Sequence, residues 1–169
     1  VGEREAARDS RLLFEAIPGT SRDAVVVASG YRSALLIGWG DPLFNDSAAF
    51  DPSRQTAAAQ AKQFGYNVDW MGFFSLPGYE VKNPSHGLIA VNHEYTNPEL
   101  MFKNYSGFNN QTKDQTEVEL EAHGLAVVEV MRDSSGRWKY IQGSKYNRRI
   151  SMNTMFKVTG PAAGSDWLK

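Results

Sequence analysis

The chain has 169 residues, of which 41% are hydrophobic and 12% aromatic, which is enough apolar material for one domain with a buried core. Its 18 Lys and Arg residues balance 19 Asp and Glu residues, and this formal net charge of -1 argues against a nucleic-acid partner. With no Cys and no apolar run long enough for a bilayer, we expect no disulfide, no thiolate nucleophile and no membrane partner.

The first part of the chain is predicted to form a short helix followed by two strands. Residues 1–17 mix charges with Leu and Phe at a helical spacing, and Pro18 and Gly19 then end the pattern. Residues 24–27 and 31–39 are apolar runs separated by Ser29 and Gly30, which favours two strands around a turn.

The middle of the chain predicts one short helix, two strands and a polar loop. Residues 51–63 carry a cluster of Ala, Gln and Lys, which indicates a helical turn or two. Residues 66–76 and 86–96 have strand patterns, and the polar residues 103–115 are interpreted as a long loop. The alternating Glu residues that follow, between 117 and 121, are read as a solvated strand edge.

A β-hairpin is predicted near the C-terminal end. Residues 124–132 and 137–142 are strand-like and are joined by the turn sequence Asp-Ser-Ser-Gly. The first of these strands is apolar on both faces apart from Glu129, which predicts cover on both sides and therefore stacked sheets. The fold class predicted from these patterns is mainly β, with antiparallel sheets and one or two short helices.

Two Asn-x-acid pairs are candidates for a metal site. Because side chains in a strand alternate between faces, Asn92 shares a face with Glu94, and Asn67 shares a face with Asp69. Amide and carboxylate oxygens are the ligands that calcium and other hard cations require. The alternative is that these residues end their strands and bond to turn backbone, which is common for Asn and Asp.

Three further residues are candidates for supporting roles. His93 faces the opposite side from Asn92 and Glu94, so it is expected to support ligands from behind rather than to bind metal. Arg148 and Arg149 form a paired guanidinium site that suits bidentate phosphate binding. The commoner alternative for such a pair is a solvated strand edge or an ion pair with a nearby carboxylate. No HExxH, GxSxG or P-loop motif is present, so zincin, serine-hydrolase and nucleotide-triphosphatase chemistry are not supported.

Five motifs occur in order along the chain, at residues 38–42 (GWGDP), 60–69 (QAKQFGYNVD), 91–96 (VNHEYT), 147–150 (NRRI) and 159–164 (TGPAAG). Together they make the chain resemble the N-terminal part of the PhoX-type alkaline phosphatases. The resemblance implies a six-bladed β-propeller, exported to the periplasm or secreted, that hydrolyses phosphate monoesters with calcium and iron. It makes Glu94 the leading metal-ligand candidate, with Asn92, Asp69 and Asn67 beside it.

The same resemblance implies that the chain is one partial domain, residues 1–169, of a longer protein. The family continues after the last motif into a Cys-containing run and a Glu-Glu-Asn motif that supply much of the metal cluster. We therefore expect the chain alone to be inactive, to hold little or no metal, and to self-associate through uncovered sheet edges. The alternatives are a non-catalytic propeller module that uses calcium structurally, and an interaction domain without metal.

Overall fold

The computed structural model describes residues 14–77 and 84–168. The chain divides into two compact units, Val1–Leu35 and Leu36–Lys169. Within the described part of the first unit there is no helix or strand, only a turn in which the Tyr31 N–H donates to the carbonyl of Ala28 at 3.0 Å. An edge-to-face contact at 5.7 Å joins Tyr31 to Phe14.

The structure does not support the helix and the two strands predicted for the N-terminal region. The helix predicted for residues 1–17 lies mostly outside the described residues, and its described end, 14–17, is not helical. The strands predicted for residues 24–27 and 31–39 are wrong, because these segments pair with no other strand among the described residues. Apolar runs become strands only where a partner strand bonds to them, and Val25 and Leu35 here stay 78% and 84% exposed.

Five strands of the second unit form one antiparallel sheet. They are β1 (Val68–Ser75), β2 (His86–His93), β3 (Gly124–Arg132), β4 (Trp138–Tyr140) and β5 (Arg148–Ile150). The order is β1-β2-β3-β4, and β5 also pairs with β3, beside β4. The strand predicted over residues 124–132 is confirmed with the same bounds, and those predicted over 66–76, 86–96 and 137–142 are confirmed with shorter bounds.

One face of the sheet is buried and the other is half exposed. Along β2, the buried and partly buried residues alternate strictly, as the period of two requires. The buried face joins a loop segment that precedes the sheet in the chain, and together they form the main core, which consists of Leu43, Phe64, Ile89, Val91, Ala126, Val128 and Val130. The predicted stacked sheets are wrong for the described residues, which form a single sheet.

The helices of the second unit are few and short. Helix α1 (Ala57–Gln60) is one turn, capped by the Thr56 side chain, and confirms the predicted helical turn. Helix α2 (Pro98–Met101) is also one turn, and single 3-10 turns lie at Phe108–Asn110, Gly160–Ala162 and Asp166–Leu168. No helix among the described residues is long and apolar enough to cross a bilayer.

Helix α3 (Lys113–Ala122) corrects the prediction for this region. The polar residues 103–115 were expected to be a loop and the Glu residues after them a strand edge, but a ten-residue helix starts within that loop. It begins with a capping box, in which Thr112 and Gln115 bond to each other's backbone. Val118 and Ala122, one turn apart, bury the helix against Met101 in a second small core.

A single residue, His123, separates helix α3 from strand β3. Gly124 begins the strand with a φ of 104°, in the left-handed region. A Cβ at this position would lie 2.1 Å from the carbonyl oxygen of Ile150. The direct passage from helix to strand therefore depends on glycine at this position.

Candidate functional site

The four residues with candidate ligand oxygens lie at the same end of the β1–β2 pair. Asn92 is near the end of β2, and its side-chain oxygen accepts the backbone N–H of Trp70 at 2.7 Å. Its Nδ2 lies 3.4 Å from a carboxylate oxygen of Asp69. The structure therefore brings Asn92 and Asp69 together across the strands, although the amide oxygen is already occupied by the backbone.

Asn67 and Glu94 meet beside that pair. Asn67 has a φ of 45°, a left-handed conformation that Asn tolerates better than most residues. Its carbonyl accepts the backbone N–H of Glu94 at 3.3 Å, just beyond the last residue of β2. The side chains of Glu94 and Asp69 are both exposed at this end of the sheet, so their oxygens are open to a ligand.

These oxygens are candidate ligands for one part of a cation site. Carboxylate oxygens suit calcium, which takes about six to eight oxygen ligands. Among the described residues no group of three or more His, Asp or Glu side chains converges on one point. The residues present therefore fit one side of a calcium shell, and they do not fit an iron site by themselves.

His93 is buried behind this end of β2, only 3% exposed, on the opposite face from Asn92. Its Nδ1 bonds to the carbonyl of Tyr66 at 3.1 Å, and its ring meets Phe64 edge-to-face at 4.7 Å. Burial, followed by the charge of Arg149, lowers the pKa of His93 to about 4. A neutral His93 with Nδ1–H as the donor thus fixes the backbone from which Glu94 leaves the sheet.

The side chain of Arg149 uses its hydrogen-bond donors to bind backbone carbonyls. A guanidinium has five N–H donors, and here all five find a carbonyl oxygen at 2.5 to 3.2 Å. The acceptors are the carbonyls of Gln63, Glu121, His123, Leu125 and Ile150. Burial lowers the pKa of Arg149 to about 10, which leaves the group charged at neutral pH. Phosphate binding at Arg149 would have to displace some of these contacts.

Arg148 points to the other face of β5 and is exposed. Its Nη1 donates at 2.7 Å to the carbonyls of Lys145 and Asn147. Its Nε and Nη2 have no recorded hydrogen bond to any residue that the structure describes. Of the two arginines, Arg148 is the one with donors open to an anion.

Sequence reasoning missed a buried polar network at the opposite end of β2. Glu129 of β3 accepts from His86 at 2.5 Å through one oxygen and from the hydroxyl of Ser144 through the other. Its backbone N–H donates to the side-chain oxygen of Asn147, which is 1% exposed. The signal available in the sequence was Glu129 itself, a lone charge in an apolar strand, which requires hydrogen-bonding partners when buried.

The chain is similar to known proteins over most of its length. The family model described as alkaline phosphatase PhoX matches residues 12–169. Among solved structures, the chain is similar to Pseudomonas fluorescens PhoX in complex with vanadate, described as a transition state analogue, with 39% identity and a TM-score of 0.82. That match covers 92% of this chain and 26% of the PhoX chain. No curated protein matches.

Proposed function

Because the chain belongs to the PhoX family of alkaline phosphatases, we propose that it forms the N-terminal part of a metal-dependent enzyme that hydrolyses phosphate monoesters. The family match over residues 12–169 is the observation that carries this proposal. The likeness to a PhoX structure with bound vanadate supports it, since vanadate is described there as mimicking a transition state. The chain spans about a quarter of that protein, so the catalytic activity is proposed for a full-length protein.

Calcium and iron are the metals we propose for the full-length protein, with little or none held by this chain alone. The exposed carboxylates of Asp69 and Glu94 are suitable for calcium, and the remaining ligands would come from residues outside this chain. When bound, such metals neutralise phosphate charge and activate an oxygen nucleophile. We therefore propose activity for the full-length protein and an inactive isolated chain.

Within this site we assign separate tasks to the residues of this chain. Glu94 is the proposed metal ligand, held in place by the bond from its N–H to the Asn67 carbonyl. Asn92 orients Asp69 from the neighbouring strand, and His93 anchors the end of β2 from the buried face. Each of these contacts would fix a ligand oxygen before metal or substrate arrives, which lowers the entropy cost of binding.

Phosphate contact is proposed for the arginine pair, chiefly through Arg148. Its exposed guanidinium keeps Nε and Nη2 available for two parallel bonds to an oxyanion. Arg149 would act next to it by fixing the backbone of β5, from which Arg148 extends. The two tasks differ because Arg148 has guanidinium N–H donors without a partner among the described residues, whereas every guanidinium N–H of Arg149 already bonds to a carbonyl.

The wider context of the chain is also proposed. The single antiparallel sheet is compatible with one part of a six-bladed β-propeller. A periplasmic or secreted location follows from the family resemblance alone. Self-association of the chain through an open sheet edge is supported by the apolar side chains exposed along β1.

The test compares this chain with the full-length protein. We would measure calcium and iron by elemental analysis and hydrolysis of an aryl phosphate for both, and for full-length Glu94→Gln. We expect metal and activity only in the full-length protein, with Glu94→Gln lowering both. Glu117→Gln, which removes a helix-surface carboxylate paired with Lys113, is the matched control and should change neither.

The outcomes separate the candidate functions. A full-length protein that holds calcium without hydrolysing phosphate esters would favour the non-catalytic calcium-stabilised module. A full-length protein without either metal or activity would favour an interaction domain. Activity that survives Glu94→Gln unchanged would remove Glu94 from the site and leave the phosphatase proposal intact.

A further inference from the structure

Strand β1 ends the sheet with one side unpaired among the described residues. Its pairing with β2 shows which backbone groups face outward. The Leu76 N–H donates to the His86 carbonyl, one step beyond β1 in the same register. Backbone groups in an antiparallel strand alternate in direction, so Gly72 and Phe74 also face β2. Met71, Phe73 and Ser75 therefore direct their N–H and C=O groups to the free side.

The two edges of the sheet are protected to very different degrees. On the far edge, β4 and β5 have three residues each, and the loop between them covers the gap with Asn147. Lys139 and Arg148 add charge along that edge. Short strands and inward or flanking charges are the usual means by which proteins block edge pairing.

The β1 edge lacks most of this protection. It is eight residues long and contains a single charged residue, Asp69. Five of its apolar side chains are 40% to 56% exposed, namely Val68, Trp70, Met71, Phe73 and Phe74. A register shift between Val68 and Met71 interrupts only its first part. A long apolar edge of this kind is a template for strand addition.

We propose that the β1 edge pairs antiparallel with the same edge of a second copy of this chain, with Gly72 of both copies on the two-fold axis. This inference deepens the proposed self-association and rests on it. Since residues with outward backbone groups must face one another, Met71 pairs with Phe73 of the other copy, and the reverse pair forms by symmetry. The two sheets then become one continuous sheet.

The side chains favour this register over its neighbours. With Gly72 on the axis, Trp70 lies opposite Phe74 twice, and aromatic cross-strand pairs stabilise antiparallel sheets. Asp69 lies opposite Ser75, so the two carboxylates do not face each other. Alternation also permits an axis at Met71 or at Phe73, but those registers set Trp70 or Phe74 opposite Gly72. The first then has no aromatic pair, and the second has one, Phe73 opposite Phe73, in place of two.

The contact is self-limiting, which supports a second copy as the occupant. An isologous pair of β1 edges uses the only long open edge that the described sheet offers on each copy. The blocked edge at β4 and β5 then prevents growth into a filament. The expected assembly is a closed dimer.

Cysteine crosslinking can read the register, because the chain contains no Cys. Opposite residues of a non-hydrogen-bonded pair have Cα atoms about 4.5 Å apart, which lies within disulfide range. Gly72→Cys should therefore crosslink two copies on mild oxidation, whereas Met71→Cys and Phe73→Cys test the two other registers. Leu100→Cys, an exposed position on α2, is the control for collisions in solution.

A Cβ at Gly72 would lie 2.5 Å from the far end of the Trp70 ring, so that ring must rotate in Gly72→Cys. A mixture of Trp70→Cys and Phe74→Cys chains provides a second probe of the same register without this demand. Circular dichroism would verify that each variant folds.

We expect light scattering to show a dimer of the unmodified chain, and Gly72→Cys to crosslink at least about tenfold faster than Leu100→Cys, given the gain in local concentration. If Met71→Cys or Phe73→Cys crosslinked faster than Gly72→Cys, the register with Gly72 on the axis would be wrong. A dimer in which no β1 cysteine exceeds the control would overturn the edge but keep self-association. A monomer at all concentrations would overturn both, and the proposed phosphatase function would be unaffected.

Discussion

The side-chain oxygen of Asn147 accepts a 2.9 Å hydrogen bond from the backbone N–H of Glu129. This N–H falls in the gap between β4 and β5, where no strand pairs with β3. The Nδ2 of Asn147 donates in turn to the carbonyls of Leu43 and Ile141 at 2.8 and 2.9 Å. One amide thus replaces a missing stretch of strand and ties the sheet to the loop below it.

Asn147→Ala is expected to lower the free energy of unfolding by about 2 to 4 kcal/mol, because it leaves the buried Glu129 N–H and the Ile141 carbonyl without partners and removes one of the two bonds to the Leu43 carbonyl. Urea denaturation followed by fluorescence would measure the change. Asn109→Ala, an exposed position, is the control and should stay within about 0.5 kcal/mol. Equal effects of the two substitutions would contradict the bridging role of Asn147.

Arg149→Lys should destabilise the chain by about 2 to 4 kcal/mol, since an ammonium has three donors and cannot reach five carbonyls. Arg148→Lys, at the adjacent exposed position, should cost less than about 1 kcal/mol. Thermal unfolding of both variants tests the difference. If Arg149→Lys proved as mild as Arg148→Lys, the carbonyl contacts would contribute little to stability.

Lowering the pH from neutral should reduce the stability of the folded protein, because of His93. Its pKa in the folded state is about 4, below the ordinary value of 6.5, so the folded protein favours the neutral ring. The stabilisation is complete above pH 6.5 and is lost as the pH falls towards 4, by up to about 1.4 kcal/mol per pH unit. Denaturant midpoints at pH 7 and pH 5 would show the loss.

His93→Gln serves as the reference for this pH dependence. It removes the titrating group, so its stability should vary less between pH 7 and pH 5 even if its absolute stability is lower. The lowered pKa values of Asp51 and Asp133 affect stability only at lower pH, outside this window. Parallel pH profiles for the variant and the unmodified chain would show that His93 is not the titrating group.

Helix α3 should depend on its capping box. Thr112→Ala removes the acceptor for the Gln115 N–H and should lower the free energy of unfolding by about 1 kcal/mol. Thr112→Ser keeps the hydroxyl and should have a smaller effect. Chemical denaturation of both variants would decide, and an identical loss from Thr112→Ser would argue against the cap.

The predictable part of the fold was the set of strands that pair with another strand of the sheet. Residues 86–96 and 124–132 alternate or run apolar, and a hairpin turn fixes the partner of the latter. Residues 24–27 and 31–39 have equally good patterns but find no partner, and pattern alone carries no information about partners. Helix α3 was predictable in principle, since Thr112 and Gln115 have the capping-box spacing.

The candidate site was predictable to a similar degree. Strand alternation placed Asn92 and His93 on opposite faces, as found. It did not reveal that the oxygen of Asn92 bonds to a backbone N–H. Nor could sequence show which arginine is buried, because the five carbonyls around Arg149 come from segments far apart in the chain.

The junction at Gly124 limits how this protein can be rebuilt. A side chain there would collide with the Ile150 carbonyl and adopt an unfavourable φ, so no other residue can be substituted without moving β5. Helix α3 and strand β3 consequently behave as one indivisible module. A chimaera or a domain graft should place its boundary outside residues 112–132 and carry β5 along with the module.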